Sequence, residues 1–182
     1  MLNLTINADT VPAMQMLEAA PERLAQADDR AMFSSLTMLQ RGVVGVINNP
    51  SRFPVSEGPA VAWGHLRDSI VIDWKQGSPV GIVAVGPEAQ SYAPYVEYGT
   101  GPHPIGRAGI EALTQWALVK HLAGDEKTAR SFAFAIAQVR KTKPMYGVHM
   151  FQTSFEMNEA SVYAEFEKEI AAACAELIDR GV

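Results

Sequence analysis

Between Pro21 and Ile47 the chain places Met32, Leu36, Leu39, Val43 and Val46 at spacings of four, three, four and three, a single apolar stripe with the period of an α-helix. Pro21-Glu22 makes a good opening turn, with proline at the first helical position and an acid near the positive end of the dipole. Asn48-Asn49-Pro50 ends it, because a residue that precedes proline is pushed out of the helical region. A stripe of this kind needs a surface to lie on, so the rest of the chain must supply packing partners. Ahead of it, Pro12 opens a separate short helix reaching about Ala20. Behind it, residues 48–64 hold three prolines and two glycines and are expected to form an extended, ordered loop.

Strand signals follow. In SIVIDWK, Ile70, Ile72 and Trp74 alternate with Ser69, Val71 and Asp73, and PVGIVAVGP (79–87) is a second β-branched run. Gln76-Gly77-Ser78 has turn chemistry, so the two runs read as an antiparallel hairpin. GTGPHPIGR (99–107) reads as a hinge-like loop. Next comes a helix through IEALTQWALVKHLAGD, turning Ile110, Leu113 and Trp116 inward, with Gly124 past its end. Asp125 is placed as the N-cap of a further helix whose stripe is Ala129, Phe132, Ile136 and Val139. Thr153 and Glu156 fit a capping box that opens a last helix, with Val162, Phe166, Ile170, Ala173 and Leu177 on one face. The expectation is one α+β domain over 1–182: a long N-terminal helix, a hairpin or small sheet, then helices.

A chain of 182 residues, 48% hydrophobic and 19% charged, has ordinary globular composition and can bury a core without staples. MLNLTINADT has neither a basic nor an apolar region of the secretory kind, and no run approaches the ~20 apolar residues of a membrane span. A single cysteine, Cys174, excludes an internal disulfide and a cysteine-based zinc cluster, which fits a reducing cytoplasm. Net charge is −5, against tight nucleic-acid binding. The charge is unevenly spread: −4 over residues 1–104, +4 over 105–150 and −5 over 151–182. Solvated helix faces account for such a pattern, and so do unlike patches that meet between subunits placed head to tail.

Catalytic signatures are scarce. His65, His103, His121 and His149 include no helical i,i+4 pair, and no carboxylate stands as in a zinc-protease motif, so no metal is expected. Each histidine reads as a polar loop or surface residue. The glycines of GTGPHPIG do not match a phosphate loop, and proline removes an N–H that such a loop would use. Cys174, beside Ala173, reads as a small buried thiol on the apolar side of the last helix. No cofactor is implied.

Three of the five tyrosines fall in SYAPYVEYGT (91–100), around a lone carboxylate. As an acid–base site it lacks a nucleophile, an orienting partner and an oxyanion donor. As architecture every residue has a use. Pro94 starts a helical turn and Gly99 ends it; Tyr92, Tyr95 and Tyr98 bury their rings; Glu97 takes an arginine or free backbone N–H groups. A small metal-dependent hydrolase built on Glu97 and His103 is the alternative from another class, and a non-viral binding module is a third.

Two motifs in order carry a resemblance. GHLRDSI (64–70), with Gly64, Leu66, Ser69 and Ile70, is similar to the strand entry of the gene-ten-product-like neck and tail-completion proteins of long-tailed bacteriophages. YAPYVEYGT (92–100), with Tyr92, Ala93, Tyr95, Val96, Glu97, Tyr98, Gly99 and Thr100, resembles that family's tyrosine signature. The spacing between them, filled by a hairpin, also resembles the family, as does the later segment with Trp116, residues 132–141 and MFQTSFEMN (150–158). The resemblance implies a structural virion protein without enzymatic activity, assembled in the host cytoplasm and placed at the neck or proximal tail. It implies a ring on the order of six or twelve copies around the DNA channel. Its partners would be head connector or adaptor proteins above and a tail terminator or tail tube protein below. Genome DNA would pass through without sequence-specific binding, and no membrane is involved.

Overall fold

The computed structural model describes residues 11–48 and 64–180, so the N-terminal ten residues and most of the expected 48–64 loop lie outside the described residues. Helix α1 (Val11–Asn48) passes through Pro21 without a break. This corrects the expectation of two helices meeting there. The proline ring holds φ near the helical value, so the chain continues at the loss of one i→i−4 hydrogen bond.

After α1 come α2 (His65–Asp68), β1 (Ile70–Asp73), β2 (Ile82–Val85), α3 (Ala93–Tyr98), β3 (Gly99–Thr100), α4 (Arg107–Val119), α5 (Glu126–Arg140), β4 (Met145–Tyr146) and α6 (Met150–Arg180). The class is α+β, as the sequence predicts. Strands β1 and β2 form the expected two-stranded antiparallel sheet, each shorter than its β-branched run. No helix among the described residues is long and apolar enough to cross a membrane.

Internal contacts group into two compact units. The first comprises Met1–Leu39, Ile72–Ile82 and Asn158–Val182. Here Arg23 pairs with Glu176 at 3.0 Å and Arg30 with Glu169 at 2.7 Å, so a step of seven along α1 is a step of seven back along α6. The two helices are therefore antiparallel. Ala27 and Ala31 of α1 and Ala173 and Leu177 of α6 are buried. Such exposed pairs add little stability but fix the register. Asp29 Oδ1 accepts the Gly77 N–H at 2.8 Å, and Phe33 lies against Trp74 with ring centroids 6.3 Å apart, which fastens the hairpin turn to α1. Two expectations for α6 are corrected: Ile170 is exposed, and so is Cys174. Cys174 stands one residue, or about 100°, round the helix from Ala173, enough to leave the buried face.

The second unit comprises Gln40–Val71 and Val83–Met157. Val43, Val46 and Ile47 of α1 pack with Leu66, Ile70, Ala89, Ala93, Val148 and Met150 into its core. The Gln40 side-chain amide donates to the Ile70 carbonyl at 2.8 Å, and the Gly86 N–H donates to the Ser69 carbonyl at 2.7 Å. Helices α4 and α5 pack on each other. Thr114 and Ala117 are buried on the first, and Ala129, Ala133 and Ala137 on the second. Phe132 and Val139, expected inward, are exposed, while Ile110, Leu113 and Trp116 are half-buried. The inward face is an i,i+4 alanine row, and the larger side chains flank it. Phe132 instead stacks on Trp116 at 6.4 Å with the rings 15° apart.

Three boundaries differ from expectation. Helix α4 ends at Val119, before Gly124, because His121 takes a left-handed backbone with φ 54°. The 99–107 segment is a loop only at 101–106, since its first two residues form β3 and Arg107 starts α4. Helix α6 begins at Met150, ahead of the Thr153 capping box, and the Thr153 N–H already donates to the His149 carbonyl at 2.9 Å.

Candidate functional site

The tyrosine-rich stretch and the entry to α6 are bound together along their backbones. Gly99 pairs with Tyr146 and Thr100 with Met145 in the antiparallel β3–β4 ribbon. The Val148 N–H donates to the Val96 carbonyl at 2.7 Å, and the His149 N–H to the Glu97 carbonyl at 3.1 Å. Last, the Phe151 N–H donates to Glu97 Oε2 at 3.3 Å.

Each of these contacts follows from local sequence. Pro94 stands in the first turn of α3, as its fixed φ favours, and only six residues of helix form before Gly99. Gly99 has φ 77° and ψ −171°, a conformation essentially restricted to glycine. A Cβ on Gly99 would run into the Met145 carbonyl oxygen, and one on Gly147 into the Glu97 carbonyl oxygen. The two backbones touch because neither residue carries a side chain.

Within α3 the exposure has helical phase. Tyr92 and Val96 pack against the core, and Ala93 and Glu97 are buried. Tyr95 and Tyr98 fall on the opposite side and are 57% and 75% exposed, which corrects the expectation that all three rings are buried. Burial of Tyr92 raises the pKa of its hydroxyl. The Thr100 hydroxyl oxygen is buried and has no hydrogen-bond partner among the described residues.

Glu97 is 6% exposed, and its carboxylate lies at the first turn of α6, where N–H groups have no partner within the helix. Free backbone N–H groups are one of the two partners predicted for it. His103 is exposed, with Nδ1 2.9 Å from the Gly101 carbonyl and its backbone N–H donating to the Arg140 carbonyl at 2.9 Å. Glu97 and His103 thus each engage backbone groups of their own surroundings. His65 and His121 are exposed and His149 half-buried. No group of three or more His, Cys, Asp and Glu is placed to hold a metal among the described residues.

The strand-entry motif lies in the same unit. Leu66 and Ile70 are core residues, Gly64 and Ser69 are buried, and the Ser69 hydroxyl donates to the His65 carbonyl. The side chains of Arg67 and Asp68 pair at 2.6 Å on the surface, and the guanidinium hydrogen bond lowers the Asp68 pKa. The partner segment of the tyrosine motif, 145–151, is what sequence reasoning missed. A signal was present: Tyr-Gly occurs at 98–99 and again at 146–147, and these dipeptides face each other in the ribbon.

No family model, no curated protein and no solved structure matches the chain.

Proposed function

We propose that this chain is a structural subunit of a tailed-phage particle, a neck or tail-completion protein that forms a homo-oligomeric ring around the DNA channel at the head–tail interface. It works through interfaces to its own copies, to a head connector and to a tail terminator or tube. The observation that carries the reading is the use made of the tyrosine motif, the segment on which the family resemblance chiefly rests. Its one buried carboxylate holds a helix end, and its glycine holds a backbone contact, while Tyr95 and Tyr98 stand exposed. Those are the assignments of a scaffold that presents a surface. The acidic net charge supports the same reading, since a wall that repels phosphate lets a genome slide.

The test is quantitative mass spectrometry on gradient-separated virions, tailless heads and headless tails from the source phage. A low fixed ratio to capsid subunits on heads is expected of a neck component, and presence on tails alone of a tail-completion protein. Absence from every particle class would overturn the structural reading and direct attention to Glu97 and His103. Deletion within residues 50–62, which the sequence alone reads as a proline-rich loop, is expected to impair assembly of infectious particles.

A further inference from the structure

The charge division along the chain becomes a matter of two helix faces. On α5, Lys127, Arg130 and Phe134 lie on one outward stripe at spacings of three and four, and all three are exposed. On α6, Glu159, Tyr163 and Glu167 lie on one outward stripe at spacings of four, and all three are exposed, Tyr163 to 64%. The stripes rise about 10 Å and about 12 Å along their helices, so they match in length. Each combines two charges of one sign with one aromatic ring. None of the four charged residues makes an ion pair among the described residues. By contrast Glu169 and Glu176, elsewhere on α6, are already paired with Arg30 and Arg23.

We infer that the basic stripe of α5 in one copy docks on the acidic stripe of α6 in a second copy. Neither stripe is suited to meet its own equivalent, because like charges would face each other. A second copy supplies the complement to each. Because the two surfaces differ, the contact is heterologous, and every subunit keeps one free stripe of each kind for the next neighbour. This rests on the homo-oligomer reading above and names the surfaces it would use.

The test uses the full chain and two double variants, K127E/R130E and E159K/E167K, each checked by circular dichroism for unchanged helix content. Sedimentation velocity is run over a concentration series at low and at high salt. Wild type is expected to self-associate at low salt and to dissociate as salt rises. Each variant alone is expected to weaken association at least about tenfold in Kd. An equimolar mixture of the two is expected to associate again, since each contact then joins unlike stripes. The variants carry net charges of −9 and −1, so general attraction between proteins of opposite charge does not drive the mixture together.

A mixture that stays monomeric overturns the docking, and so does self-association that neither variant disturbs. The second result leaves the ring reading standing with its interface elsewhere. Loss of the ring reading itself is read separately, from the particle fractions.

Discussion

Glu97 Oε2 accepts the Phe151 N–H at 3.3 Å, so a buried acid on one short helix closes the first turn of another helix 54 residues further along the chain. A cap normally comes from the residue just before the helix. Here that position is His149, whose backbone has φ 50°. The oxygen arrives instead from across the β3–β4 ribbon. Removing it leaves a part-buried N–H without its partner, and Glu97→Ala is expected to cost about 1–3 kcal/mol in urea unfolding. Glu97→Gln keeps an acceptor of the same shape and is expected to cost less than half as much. Equal losses in the two would mean that the contact does not hold the helix end.

Gly99 and Gly147 make a sharper case. An alanine at 99 needs a left-handed backbone and also meets the Met145 carbonyl, while one at 147 meets the Glu97 carbonyl. Strain and overlap together are expected to destabilise Gly99→Ala by about 3 kcal/mol or more. Gly101 and Gly106 sit in the following loop with nothing within 4 Å of an added Cβ. Alanine at either is expected to be neutral or to stabilise by up to about 1 kcal/mol, through the unfolded chain. Thermal melts of the four single variants would separate the two classes.

Legibility in the sequence follows from how local each cause is. The α1 stripe, the Asp125 cap and the pivot at Gly99 depend on neighbours within a turn, and all three are found where the residues place them. Pro21 misleads because proline signals a helix start and is also compatible with helical φ. Phe132 misleads because a large hydrophobic side chain signals burial, whereas α4 and α5 meet through alanines and a threonine. Tyr95 and Tyr98 mislead because three rings in ten residues imply a core, yet a six-residue helix has room for only one buried side. The partner of the tyrosine motif lies about fifty residues downstream. Only the repeated Tyr-Gly pair hints at it.

The α4–α5 seam is testable directly. Ala133 is fully buried on the inward row of α5, so Ala133→Leu forces extra methylenes into a packed contact and is expected to cost about 1–3 kcal/mol. Phe132 is 40% exposed and keeps mainly its stack on Trp116, so Phe132→Ala is expected to cost only about 0.5–1.5 kcal/mol. Reversal of that order in urea unfolding would put the large side chain back in the core, as the stripe alone suggests.

The N-cap of α5 carries a pH dependence with a definite sign. Asp125 Oδ1 accepts the Thr128 N–H at 2.8 Å and Oδ2 accepts the Thr128 hydroxyl at 2.9 Å. The backbone hydrogen bond is the larger cause and the hydroxyl the second, and together they lower the carboxyl pKa from its ordinary value of 3.8. The folded chain therefore binds this proton less readily than the unfolded chain. The cap's contribution is complete above the ordinary aspartate value, and it is lost as pH falls through the depressed folded value. Asp125→Ala is expected to lower Tm by about 2–4 °C near neutrality. Asp125→Asn, which still offers an oxygen but does not titrate, is expected to stay near wild type there. The gap between wild type and Asp125→Asn should then move in favour of asparagine as melts are repeated from about pH 6 down to about pH 2. A gap that stays constant across that range would mean that the charge on Asp125 has no part in holding the start of α5.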